Sequence, residues 1–234
     1  MRAPLTVAAV QPACTALDLA RNAQAHARAV RDAAARVVVF PELSLTGYEL
    51  AADPVALDDA ALAPLVAACA ETGSSALVGA PVAHGHGGRA IAMLAVDGDG
   101  VRVAYRKTWL GGDEESVFTA GDGPTVLEVD GWRLGLGICK DTGAAQHTAA
   151  TAALGVDAYV AGLVHRPEDL AEQEARAVVI ARACRAAVVF ASFAGPTGGG
   201  FTETAGSSAV WSPDGVAVAR AGREVGGRAR ATLV

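Results

Sequence analysis

The sequence predicts one α/β domain, built as an α-β-β-α sandwich of two mixed sheets flanked by helices. Apolar, β-branched segments alternate along the chain with Ala- and Leu-rich segments of helical periodicity. Two predicted helices follow early strands and two follow late strands, with hairpins between them. At 234 residues, the chain fits one large α/β domain over residues 1–234 better than two small domains.

The first half of the chain predicts five strands and two helices. Asp18 is suited to cap the first helix, and the turn Asp97-Gly-Asp-Gly100 joins two strands into a hairpin. Pro64, a favourable first helical residue, is an alternative start for the second helix. The predicted strands are 5–11, 37–40, 75–80, 89–97 and 101–108, and the predicted helices are 18–36 and 58–72.

The second half continues this alternation after a loop, 109–124, that is rich in Gly and acidic residues. Asp130-Gly131 and Pro213-Asp-Gly215 mark two hairpin turns, and a Gly-rich loop at 195–206 precedes the second hairpin. The predicted strands are 125–129, 133–138, 157–164, 187–193, 207–212, 216–220 and 228–233, and the predicted helices are 144–154 and 168–186.

The composition argues against several functional classes. A net charge of −6 and a pI of about 5.3 disfavour non-specific nucleic-acid binding, which needs a cationic surface to displace counterions. Every long apolar run is broken by Arg, Asp or Gly, so we expect no membrane span. The N-terminus lacks a signal-peptide pattern, and we therefore expect a cytoplasmic location.

Neither a metal nor a cofactor is expected. The cysteines are widely spaced without a CxxC pair, so a zinc site or redox motif has little support and free thiols are expected. His84 and His86 could be read as a metal pair, but a solvated turn is the preferred interpretation because no third ligand is nearby. The four cysteines are Cys14, Cys69, Cys139 and Cys184.

Three side chains with useful chemistry stand at the ends of predicted strands. Glu42 directly follows an apolar strand, Lys107 ends an alternating strand, and Cys139 lies between a buried strand and a helix. Taken singly, each has an ordinary alternative: a solvated acid, an exposed lysine and a packing cysteine. Lys107 is also one of only two lysines among 19 basic residues, the others being arginines. A lysine kept in a chain that otherwise uses arginine favours a position that requires a compact ammonium group.

The three segments that contain these residues indicate a protein family far more specifically than the single residues do. They are FPELSLTGY at 40–48, YRKTWL at 105–110 and LGLGICKD at 134–141. In this order they resemble the signature of the nitrilase superfamily of carbon–nitrogen hydrolases. The opening LTVAAVQPA and the segments 115–121 and 191–215 are also similar to that family, so the resemblance spans nearly the whole chain. It implies an αββα sandwich, a homodimer or higher homo-oligomer, and catalysis by a Glu-Lys-Cys triad.

Carried onto this sequence, the implied triad is Glu42 as general base, Lys107 as the cation beside the reacting carbonyl and Cys139 as nucleophile. The family often has a second glutamate in the loop after the lysine. Glu115 matches it best, three residues before Phe118, and Glu114 is the adjacent alternative. The expected reaction is hydrolysis of a small-molecule amide or N-carbamoyl compound through a thioester on the cysteine.

Two further residues are expected at the oxyanion or the substrate. The backbone N–H of Lys140 would donate to the oxyanion, and Tyr48, which closes the first motif, would contact the substrate. The side chain of Lys140 could either contact an anionic group of the substrate or point to solvent, and solvent is the preferred interpretation. His147 could form a Cys-His dyad, but packing near the site is the preferred interpretation.

The sequence departs from the family after the nucleophile. Residues 140–144 (KDTGA) lack both the aromatic and Arg-Phe-Pro-Glu-like stretch of many family amidases and the Trp of nitrilases. Nitrile hydrolysis is therefore disfavoured, and the substrate stays open. Two other hypotheses remain: an inactive relative that acts as a binding or regulatory protein, and a glutaminase subunit that feeds a separate synthetase chain.

Overall fold

The computed structural model describes residues 2–85 and 87–234. His86, one member of the potential metal pair with His84, lies outside the described residues. The strands are β1 (Leu5–Val10), β2 (Val37–Val39), β3 (Ser75–His84), β4 (Gly88–Asp97), β5 (Gly100–Arg106), β6 (Val126–Val129), β7 (Trp132–Ile138), β8 (Ala158–Leu163), β9 (Ala187–Ser192), β10 (Ala209–Trp211), β11 (Ala217–Arg220) and β12 (Arg228–Leu233). The helices are α1 (Leu19–Ala33), α2 (Ala63–Thr72), α3 (Ala145–Ala153) and α4 (Leu170–Cys184).

The strands form two mixed sheets of six strands each, with the orders β12-β1-β2-β3-β4-β5 and β11-β10-β9-β8-β7-β6. In the first sheet β1, β2 and β3 are parallel, and in the second β7, β8 and β9 are parallel. The remaining strands pair antiparallel at both sides of each parallel centre. Loops that follow the parallel strands therefore gather at one edge of each sheet, which is where α/β proteins build sites.

Three apolar clusters fill the spaces between four layers. The first joins the inner faces of both sheets, with Val37 and Val39 on one side and Val160 on the other. The second packs the outer face of the first sheet against α1 and α2, and the third packs the second sheet against α4. The predicted α-β-β-α sandwich is confirmed. Among the described residues, no helix is long and apolar enough to cross a membrane.

Strand β3 runs to His84, four residues beyond the predicted end of that strand at 80. Pro81, which follows the predicted strand, cannot donate a ladder hydrogen bond. In the structure β2 pairs with β3 only up to Leu77, so Pro81 extends a hairpin with β4 alone. Helix α1 also ends earlier than predicted, because Ala34 adopts a left-handed conformation with φ +46°.

The chain after β2 is held between the two sheets by close backbone approaches. A Cβ atom at Gly79 of β3 would lie 2.2 Å from the backbone nitrogen of Leu43. A Cβ atom at Gly162 of β8 would lie 2.6 Å from the carbonyl oxygen of Phe40. Both positions therefore require glycine, and together they fix the segment that carries Glu42 at the sheet edge.

Candidate active site

Glu42, Lys107 and Glu114 form a buried ionic cluster, here called the lysine cluster. Lys107 directly follows β5, and its Nζ lies 2.6 Å from Glu42 Oε1 and 2.8 Å from Glu114 Oε1. The three residues are only 1%, 1% and 4% exposed in the order Glu42, Lys107 and Glu114. Buried charges are tolerated when they are paired in this way. An ammonium has three donors, so one N–H of Lys107 is left for another acceptor.

Glu114, rather than Glu115, contacts Lys107, and this corrects the sequence prediction. Glu114 Oε2 accepts from the N–H of Gly111 at 2.6 Å, and its Oε1 also accepts from Tyr48 Oη at 3.2 Å. Glu115 is exposed, and its carboxylate lies 4.0 Å from Lys140 Nζ. The two glutamates are adjacent in a short 3₁₀ turn, Glu114–Ser116, which sends consecutive side chains in different directions.

Glu42 differs from Glu114 in having an oxygen without a partner. Within the described part of the chain, no group donates to Glu42 Oε2, which is buried. Burial raises the pKa of Glu42 well above its ordinary value, and the charge of Lys107 only partly opposes this. For Lys107, burial lowers the pKa, but the negative charges of Glu42 and Glu114 oppose burial, and the pKa is raised overall. Such perturbed groups are typical of functional sites.

Cys139 follows β7 directly and opens a 3₁₀ turn, Cys139–Gly143. Its φ is +40°, a left-handed conformation that is uncommon for a residue with a side chain and that clusters at functional sites. The Sγ atom lies 3.4 Å from the carbonyl oxygen of Val164 and 3.8 Å from Nε2 of His165. Cys139 is partly buried at the sheet edge, beside the ends of β7 and β8.

His165 is a neighbour of the cysteine that the sequence analysis missed. Arg176 donates to its Nε2 at 3.4 Å, so Nε2 is the unprotonated nitrogen and Nδ1–H donates to Gln173 Oε1 at 3.0 Å. Burial lowers the pKa of His165, and the positive charge of Arg176 lowers it further, although the Gln173 hydrogen bond opposes both. His165 comes just after β8, a strand-end position like that of Glu42, and this was the available signal.

His147 belongs to a second buried network, here called the aspartate cluster, which consists of Tyr105, Asp141, His147 and Tyr159. Tyr105 Oη donates to Asp141 Oδ2 at 2.8 Å and lies 3.0 Å from His147 Nε2. His147 Nδ1 lies 3.2 Å from Tyr159 Oη. His147 therefore packs in a network that holds the turn after the cysteine, and none of its hydrogen bonds runs to Cys139.

Lys140 and Tyr48, both expected at the oxyanion or the substrate, have different surroundings. The Lys140 side chain is half exposed and donates to the carbonyl oxygen of Leu110. Tyr48 is buried, and its ring meets Phe193 and Phe201 edge-on. The structure thus brings Tyr48 to the lysine cluster through Glu114, whereas the Lys140 ammonium bonds to the backbone of Leu110.

A pocket of about 220 Å³ opens beside the lysine cluster. Its lining includes Tyr48, Asp113, Glu114, Arg166 and Phe201. Of the three residues of the lysine cluster, only Glu114 lines this pocket, and Glu114 contacts Lys107 directly. Among residues 2–85 and 87–234, no group of three or more His, Cys, Asp and Glu side chains is arranged to hold a metal ion, and all four cysteines are free.

Comparison with known proteins identifies the family of this chain. The sequence profile of the carbon–nitrogen hydrolase family matches residues 6–233. The chain is 32% identical over 217 residues to a Pseudomonas protegens protein described as the hydrolase in the pqqF 5′ region, covering 88% of this chain and 75% of that protein. It is also 31% identical over 173 residues to an (R)-stereoselective amidase of a Pseudomonas species, covering 68% of this chain but only 62% of the amidase.

The fold is similar to that of a variant of the amidase from Nesterenkonia sp. AN1 in complex with butyramide. The TM-score is 0.84 with 26% sequence identity, covering 98% of this chain and 90% of that chain. The chain therefore belongs to the carbon–nitrogen hydrolase family, and the resemblance to the nitrilase superfamily is confirmed. It is a carbon–nitrogen hydrolase enzyme of the amidase type.

Proposed function

We propose that this enzyme hydrolyses the carbon–nitrogen bond of a small carboxamide or N-carbamoyl compound, with Cys139 as nucleophile, Glu42 as general base and Lys107 as the cation beside the carbonyl. The observation that carries the proposal is the buried pairing of Lys107 with two carboxylates beside a cysteine of left-handed conformation. The similarity to an amidase that binds butyramide supports an amide as substrate.

The first step moves the thiol proton of Cys139 to Glu42. Glu114 has its oxygens occupied by Lys107, Gly111 and Tyr48, whereas Glu42 Oε2 is free to accept a proton. The raised pKa of Glu42 brings its proton affinity closer to that of a thiol, which makes this transfer easier. The transfer leaves the net charge of the site unchanged, because the negative charge moves from the carboxylate to sulfur.

The thiolate then attacks the amide carbonyl and forms a C–S bond. The remaining N–H of Lys107 and the backbone N–H of Lys140 donate to the oxyanion, and removal of one such donor typically costs about 10²–10³ in rate. Glu42 returns its proton to the leaving nitrogen as the C–N bond breaks, which releases ammonia or an amine and leaves a thioester. Water then gives a proton to Glu42 and attacks the thioester, and Glu42 passes this proton to sulfur as the C–S bond breaks, which releases the acid and restores the thiol.

Ammonia release from a panel of primary amides, ω-amides, N-carbamoyl amino acids and nitriles tests the proposal, with Cys139→Ala as the comparison. We expect release from one of the amide or carbamoyl classes that falls to background in the variant, with an unchanged unfolding temperature. Equal release by both proteins would contradict the role of Cys139. Failure of every compound would favour the inactive binding protein.

A further inference from the structure

Arg166 presents its guanidinium group at the pocket beside the lysine cluster, against the ring of Phe201. Its Cζ lies 4.9 Å from the centre of the Phe201 ring, and both residues line the pocket that contains Glu114. Stacking on an aromatic face orients a guanidinium while its N–H donors remain available at the edge. Arg166 also directly follows His165, whose ring contacts Cys139, so the guanidinium stands on the chain segment beside the reacting sulfur.

The charge of Arg166 is not neutralised within the part of the chain that the structure describes. Seven other arginines there form ion pairs with carboxylates, but none of these ion pairs involves Arg166. Its backbone N–H bonds to Asp169, and its side chain packs on Phe201. An arginine that is oriented, exposed and unpaired at the mouth of a pocket is well suited to bind an anion.

We propose that the substrate is a small amide that also carries a carboxylate, and that the Arg166 guanidinium binds this carboxylate while the amide carbon faces Cys139. This inference rests on the proposed function and narrows its substrate class. Arg166 donates in a planar fork that matches the two oxygens of a carboxylate. Both an ω-amide of a dicarboxylic acid and an N-carbamoyl amino acid have this chemistry.

The other charged side chains that line the pocket are carboxylates, and they differ in whether they already have partners. The carboxylate of Glu114 is occupied by Lys107, Gly111 and Tyr48. Asp113 also lines the pocket and is exposed, and it would attract a cationic amide instead. A comparison of anionic, neutral and cationic amides therefore separates the role of Arg166 from that of Asp113.

Binding to Cys139→Ala, which lacks the nucleophile, tests the inference without requiring turnover. Calorimetric titrations would compare succinamate, N-carbamoylglycine, butyramide and 4-aminobutyramide, and then repeat the series after adding Arg166→Gln. We expect at least one of the two anionic amides to bind more tightly than the neutral and cationic amides. Arg166→Gln should weaken that binding by about 10- to 100-fold and change butyramide binding little.

Arg220→Gln is the matched control, because Arg220 also faces an aromatic ring, that of Trp211, but pairs with Glu174 away from the pocket. It makes the same change in net charge and should leave all affinities unchanged. Equal affinity for anionic and neutral amides, preference for the cationic amide, or equal losses in both variants would each overturn the inference. Hydrolysis of butyramide that depends on Cys139 tests the proposed function separately, so the two can fail independently.

Discussion

The lysine cluster and the aspartate cluster both bury ionisable side chains near Cys139, but they differ in how completely their polar atoms are paired. In the aspartate cluster, Asp141 accepts from the N–H groups of Trp109 and Ile138 and from Tyr105 Oη, at 2.8–2.9 Å. In the lysine cluster, Glu42 Oε2 is buried and receives no hydrogen bond from the described residues.

This difference separates structural support from chemistry. A buried carboxylate with every oxygen paired fixes the backbone around it, and Asp141 thereby ties the end of β7 to the loop after Lys107. A buried carboxylate with an unpaired oxygen costs stability, and such a cost is tolerated at sites that must accept a proton. This difference supports the proposal that Glu42 transfers the proton, whereas the aspartate cluster positions the turn.

The largest expected effect comes from Glu42→Gln, which keeps the shape of the side chain but removes its ability to accept a proton. We expect kcat to fall by about 10²–10⁴, the usual contribution of a general base. Because the substitution also removes one of the two carboxylates that pair with the buried Lys107 ammonium, we expect a lower unfolding temperature. Steady-state ammonia release and thermal unfolding measure both quantities, and a rate within a factor of about three of wild type would remove Glu42 from the mechanism.

Glu114→Gln and Glu115→Gln form a matched pair, since they are adjacent and make the same change in charge. Glu114→Gln removes a carboxylate that holds the Lys107 ammonium and should lower kcat/KM by about 10²-fold through misplacement of that group. Glu115→Gln should retain nearly full activity, because this side chain is exposed and remote from Lys107. The reverse order in the same kinetic assay would restore Glu115 as the second glutamate.

Asp141→Asn should affect stability more than chemistry. The amide offers one oxygen and one N–H₂ group to three donors, so at least one buried donor loses its acceptor, at a cost of about 1–3 kcal/mol in unfolding free energy. Urea denaturation measures this cost, with the exposed Asp130→Asn as control, for which we expect less than about 1 kcal/mol. An unchanged unfolding free energy for Asp141→Asn would contradict the structural role.

Strand ends marked Glu42, Lys107 and Cys139 as candidates in the sequence, because each follows or ends a predicted strand. Their roles came from the resemblance to the nitrilase superfamily, since each residue taken singly has an ordinary alternative. The pairing of the strands into two sheets depended on the family resemblance and on the distribution of helices, because strand patterns alone do not specify partners.

The remaining features depend on side-chain direction, which sequence does not display. The choice between Glu114 and Glu115 is decided by the rotation of one 3₁₀ turn, and a slip of one residue reverses it. His147 is closer to Cys139 in sequence than His165 is, and only His147 was therefore considered as a partner of the cysteine. The parallel pairing of β7 and β8 instead brings His165 to the sulfur. The orientation of Arg166 depends in the same way on Phe201, which is distant in sequence.

The pH dependence of kcat/KM for wild type and Glu42→Gln tests the central claim, that Glu42 takes the thiol proton, most directly. Glu42 must be ionised to act, so the wild-type rate should fall as pH decreases through its raised pKa, above the ordinary glutamate value of about 4.3. We predict that this acidic limb is absent from the residual activity of Glu42→Gln. An identical acidic limb in both proteins would contradict the account.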